Sequence, residues 1–103
     1  MPILVRYAPP GATKAQYDQV SEKVLTTLQW PPEGLLVHVA FDIDGELRVS
    51  EVWESRETLE AFQQGLMPLL QEAGIDVESN EPEFFDVHAM ETREYSTIQA
   101  RAS

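Results

Sequence analysis

The sequence predicts a single α+β domain whose elements run in the order β-α-β-β-α-β. Three observations predict it: a capped amphipathic helix after a short β-branched strand, a hairpin pivoting on Asp44-Gly45, and a second apolar-faced helix leading to a last strand. With 103 residues, 43% of them hydrophobic, the chain suffices for one core and is too short for two. No internal repeat or composition shift marks a linker, so one domain is expected over residues 1–91, followed by a polar tail over 92–103.

Ile3-Leu4-Val5-Arg6-Tyr7 reads as the first strand, stopped by Pro9-Pro10-Gly11. Thr13 opens a helix and Gln16, three residues on, completes a capping box. Tyr17, Val20, Val24 and Leu28 repeat at helical spacing, and Trp30-Pro31-Pro32-Glu33-Gly34 ends the helix. Leu35 to Ile43 and Glu46 to Trp53 then pair through Asp44-Gly45, a turn that favours φ > 0 at both central positions. That turn sets the register, with Ala40 opposite Val49, His38 opposite Glu51 and Leu36 opposite Trp53.

Ser55 caps a second helix with Leu59, Phe62, Leu66 and Leu69-Leu70 on one face and Gly74 at its end. Gly65 and Pro68 fall inside that pattern. Proline removes a hydrogen bond to the carbonyl four residues back, so an interruption is expected, with a cavity mouth near Leu66 and Met67. A final strand is expected over residues 83–90.

Both faces of the hairpin are apolar. One carries Leu36, His38, Ala40, Val49, Glu51 and Trp53, the other Val37, Val39, Phe41 and Val52. Two helices cover only one face of a four-stranded sheet, and a half-solvated antiparallel sheet alternates apolar with polar. The second face is therefore expected to meet the same face of another copy, giving a homodimer.

The formal charge of −11, with seven cations scattered among eighteen acids, argues against nucleic acid and against anionic membrane surfaces. There is no cysteine, hence no disulfide, thiolate metal site or thiol catalysis. The opening apolar run is too short for a signal peptide or a membrane span, and the default expectation is a cytoplasmic protein. No phosphate loop, nucleophile elbow or nucleotide fingerprint occurs, so no cofactor is expected. His38 and His88 fall on strands expected at opposite edges of the sheet, and the acids near them show no ligand spacing, so no metal site is expected either.

His38 and Glu51 face each other across the hairpin, with Cβ atoms expected roughly 5 Å apart. A carboxylate that orients an imidazole makes a general acid or base. The competing reading is a structural pair that satisfies a polar gap in the sheet. Trp53 lies one pair along the same face, either as a platform for an aromatic ligand or as core.

The whole resembles the dimeric α/β-barrel superfamily, with its ferredoxin-like fold, and within it the small proteins similar to antibiotic-biosynthesis monooxygenases. The resemblance is carried by Pro-Pro-Gly-Ala-Thr-Lys-Ala-Gln-Tyr at 9–17, by Gly34-Leu35-Leu36-Val37-His38-Val39-Ala40, by Val52-Trp53-Glu54-Ser55, and by Val87-His88. It implies a pocket between sheet and helices and a cofactor-independent monooxygenase, cyclase or isomerase acting on an aromatic or polyketide-like molecule. It also leaves room for a non-catalytic ligand-binding or structural homodimer. The haem-degrading branch is implied to use a histidine on the second helix, and Arg56 to Ala73 holds none, which argues against that branch. In such a pocket His38 and Glu51 are the catalytic candidates, and Trp53, Leu36, Tyr17, Phe62, Leu66 and His88 the substrate-binding ones. A cavity of a few hundred Å³ touching His38 and Trp53 favours the ligand-handling reading, and a filled core there favours the structural one.

Overall fold

The computed structural model describes residues 2–93; the tail expected over 92–103 lies outside the described residues apart from 92 and 93. The elements follow the expected order: β1 (Ile3–Tyr7), α1 (Lys14–Thr27), β2 (Leu35–Ile43), β3 (Glu46–Trp53), α2 (Arg56–Glu72) and β4 (Glu83–Asp86). They form one antiparallel four-stranded sheet in the order β2-β3-β1-β4, with both helices on one face. This is the ferredoxin-like α+β fold.

The local signals act as chemistry dictates. The Thr13 side chain accepts from the Gln16 amide while the Gln16 side chain accepts from the Thr13 amide, which satisfies two donors that the first helical turn leaves open. Asp44 and Gly45 have φ of 51° and 85°, the doubly left-handed turn that matches strand twist. The register it sets pairs Ile43 with Glu46, Ala40 with Val49 and His38 with Glu51.

Four expectations need correction. The register breaks between Leu35 and Val37, so Leu35, not Leu36, stands opposite Trp53. A bulge sets two residues of one strand against one of its partner, and the turn at the other end of the hairpin carries no signal of it. Leu35 packs with Trp53 and Val5, whereas Leu36 is left exposed. The second correction concerns α2, which runs without a break from Arg56 to Glu72 with Pro68 inside it. The carbonyl that Pro68 deprives of a partner belongs to Gln64, an exposed residue, so the lost bond leaves no buried polar group. Leu59 and Leu69 stay buried on either side of the proline and hold the helix to the core. Third, the cleft beside α2 is lined by Phe62 and Gly65 and not by Leu66 or Met67. Fourth, β4 stops at Asp86, and His88 sits in an exposed bend beyond it.

The core has two parts joined by Phe62. Val20, Val24, Leu47, Leu69 and Ile75 fill the end near the hairpin turn, and Val5, Trp53 and Leu59 the other. On the opposite face, Val37, Val52, Leu4 and Phe85 pair successively and make one apolar row across all four strands. Val39, Phe41 and Phe85 on that face are each more than a third exposed. No helix among the described residues is long and apolar enough to cross a membrane.

Candidate functional site

The hairpin register delivers His38 to Glu51 on the helix-facing side of the sheet, and the helices supply the rest. His38 Nδ1 lies 2.6 Å from Glu51 Oε2, and the other carboxylate oxygen, Oε1, accepts from the indole Nε1–H of Trp53 at 3.0 Å. Glu51 is the buried charged side chain among the described residues, and Trp53 is fully buried. From α1, the Tyr17 hydroxyl comes within 2.7 Å of His38 Nε2. The four residues form one chain, Tyr17–His38–Glu51–Trp53, with both imidazole nitrogens and both carboxylate oxygens engaged.

Chemistry assigns the protons. A carboxylate accepts and an indole N–H donates, so His38 Nδ1 carries the hydrogen that meets Glu51. In the neutral imidazole Nε2 is then the acceptor, and the Tyr17 O–H donates to it. Burial, with the negative charge of Glu51 adding to it, holds the Tyr17 hydroxyl above its ordinary range, so it remains a phenol and a donor. Tyr7, on the strand beside Glu51, is pushed up for the same two reasons, burial first, and accepts from Gln63 Nε2 at 3.0 Å.

Aromatic rings enclose the imidazole. Tyr17 stacks on His38 at 6.0 Å between centroids, and Trp30 meets it edge-on at 5.3 Å. Trp30 also touches Phe62, and Phe62 touches Trp53. The His38 side chain keeps 20% of its exposure. Beside this cluster, a cleft of about 260 Å³ opens between the end of α1, the following loop and α2, with Leu28, Pro32, Glu33, Thr58, Phe62 and Gly65 on its walls. Neither His38 nor Trp53 lines it.

The structure thus brings together His38, Glu51, Trp53, Tyr17 and, through the rings, Phe62. It does not bring in Leu36, which is exposed on the bulge, nor His88, beyond β4 at the edge of the sheet opposite β2. Leu66 packs into the core around Val24 and Leu69. Trp30 is the residue that sequence reasoning missed. It reads as the end of a helix, and only the return of the chain into β2 sets it over His38. Among the described residues, no three His, Asp or Glu side chains gather as a metal ion would need.

No family profile matches the chain, and no curated protein does. Solved structures do. SnoaB, a cofactor-independent oxygenase from Streptomyces nogalater, is 14% identical, aligns over 86% of this chain and 93% of its own, and superposes with a TM-score of 0.57. Rv0793 from Mycobacterium tuberculosis is 15% identical over 88% of this chain and 97% of its own, with a TM-score of 0.59. A protein from Chloroflexus aurantiacus, proposed to be an antibiotic biosynthesis monooxygenase, is 15% identical over 88% and 95%, with a TM-score of 0.60. At such identities the likeness is one of fold: this chain is built on the same fold as these proteins.

Proposed function

We propose that the protein is a homodimeric, cofactor-independent enzyme that handles an aromatic or polyketide-like molecule, with His38 as its acid/base group. The observation that carries the reading is the imidazole held at both nitrogens, by a buried carboxylate on one side and a phenol on the other. A ligand O–H or acidic C–H hands its proton to Tyr17 Oη as Tyr17 passes its own to His38 Nε2. Tyr17 ends as a phenol, His38 as an imidazolium facing Glu51, and the ligand as an electron-rich anion. Such an anion is the starting point of cofactor-independent oxygenation, cyclisation or isomerisation. The fold shared with a cofactor-independent oxygenase supports the assignment without fixing the reaction.

Tyr17→Phe tests it, because the change removes one hydroxyl and leaves the His38–Glu51 bond in place. With an aromatic substrate that the wild type turns over, kcat should fall about tenfold or more with little change in KM, as expected when a proton-transfer partner is lost. Unchanged kcat together with a lowered melting temperature would assign the chain of bonds to stability instead. One observation favours that second reading, a structural homodimer without chemistry: the cleft is not lined by His38 or Trp53.

The dimer part of the proposal rests on the apolar row Val37–Val52–Leu4–Phe85 and on the exposure of Val39 and Phe41. Light scattering at micromolar concentration should give twice the 11.6 kDa chain mass. Val39→Asp places a charge on that face, at its edge strand β2, and should shift the protein to monomer with its circular dichroism unchanged. A monomeric wild type at that concentration removes this part of the proposal.

A further inference from the structure

We propose that Trp30 is the gate of a binding slot for a flat, uncharged, hydroxylated aromatic molecule, which reaches His38 by taking the place of the indole. The proposal rests on the acid/base reading of His38 only for the use made of the ligand, not for its binding.

The two tryptophans are held in opposite ways. Trp53 is fully buried and its N–H is bonded to Glu51. Trp30 is 36% exposed, and among the described residues its N–H has no hydrogen-bond partner. Its indole packs between the rings of Phe62 at 6.0 Å and His38 at 5.3 Å. The loop that carries it is fixed at both ends. Leu28 packs so closely against Gly65 that a Cβ on that glycine would lie 3.0 Å from it. Gly34, at φ 89°, sits where a Cβ would run into the Thr58 side chain, and its carbonyl accepts from the Glu54 amide. A side chain on a span anchored at both ends can rotate without unfolding the loop.

Phe62 stands between the cleft and Trp30. It lines the cleft and touches Trp30, and Trp30 touches His38. Trp30 is not itself on the cleft wall, so in this proposal rotation of the indole vacates a space beside the imidazole that the ligand enters from the 260 Å³ cleft past the Phe62 ring. What fills that space now is the template for what fills it next: a planar, mostly apolar group of about two fused rings. A hydroxyl on such a ligand would meet Tyr17 and His38. Charge narrows the class further. Glu33 is the charged residue on the cleft wall, in a protein of net charge −11, so an aromatic carboxylate is repelled and a neutral phenol is not.

The probe is 2-naphthol, titrated into the full-length protein by calorimetry, with the ring resonances of His38 followed by NMR and exposed His88 as the internal reference. Saturable binding that shifts His38 and spares His88 is expected, and 2-naphthoate should bind about tenfold or more weakly. If the indole competes for the slot, the observed affinity is reduced by the fraction of molecules that are open. Trp30→Ala should then bind 2-naphthol about three- to tenfold more tightly, with a faster association rate. Ala61→Phe, at an exposed position on the cleft wall, should block binding while the fold is kept. Weaker binding by Trp30→Ala would make the indole a wall of the site and overturn the proposal. So would binding that leaves His38 unshifted, or no saturable binding by either protein. Binding as described in a protein without turnover would keep the gate and remove the acid/base reading, so the two fail separately.

Discussion

His38→Ala is expected to lower kcat/KM on an aromatic substrate by about 10²–10⁴-fold, the contribution of a positioned acid/base group. The loss follows from geometry, since the imidazole is the group within 2.7 Å of the Tyr17 hydroxyl that can take up a proton from it. A second variant separates chemistry from packing. Glu51→Gln keeps the size of the side chain and can still accept from Trp53 through its amide oxygen, but its NH₂ must donate to His38 Nδ1. That reverses the imidazole tautomer, so Nε2 now carries the hydrogen and donates to Tyr17. Every bond survives, yet the base faces the wrong way. Glu51→Gln should therefore retain most of the stability and lose nearly as much activity as His38→Ala, and ¹⁵N spectra of the ring should show the exchanged tautomer. Full activity in a folded Glu51→Gln protein, or a His38→Ala protein that is destabilised but turns over normally, would end the catalytic assignment.

What could be read from the sequence was set by local chemistry. Asp44-Gly45 needs no distant partner to adopt its turn, and from that turn the pairing of His38 with Glu51 follows by counting. Thr13 and Gln16 cap each other within one helical turn, and so announce where α1 begins. The features that escaped depend on contacts between distant segments. Leu36 was displaced from Trp53 by a bulge seven residues from the turn that set the count. Pro68 reads as a break in α2, but the carbonyl it frees belongs to an exposed residue, and Leu59 and Leu69 hold the helix across it. Tyr17 and His38 are separated by 21 positions, and their hydrogen bond exists because α1 packs over the hairpin. Trp30 lies among prolines in a loop, where periodicity carries no information about facing.

Glu51→Ala should have the largest effect on stability. The carboxylate is 7% exposed and satisfies two donors at once, His38 Nδ1 and the indole N–H of a residue with no exposure at all. Alanine leaves both without an acceptor in a place water does not reach easily, and each such orphaned donor costs about 1–3 kcal/mol. For a domain of this size, that corresponds to a fall in melting temperature of about 15–30 °C. Glu51→Gln, which keeps an acceptor for Trp53, should lose only a fraction of this. The comparison identifies the cause: if orphaned donors dominate, the gap between alanine and glutamine is most of the effect, and if lost charge dominates, the two variants melt together. In the second case the double variant His38→Ala/Glu51→Ala would be no more stable than Glu51→Ala alone. In the first, adding His38→Ala removes one orphan and should recover about 1 kcal/mol, a coupling that a double-mutant cycle resolves. Thermal melts of the wild type, the three single variants and the double variant at one pH and one concentration measure it directly, and a Glu51→Ala protein that melts within a few degrees of the wild type would show that the buried chain from Trp53 to Tyr17 does not hold the core together.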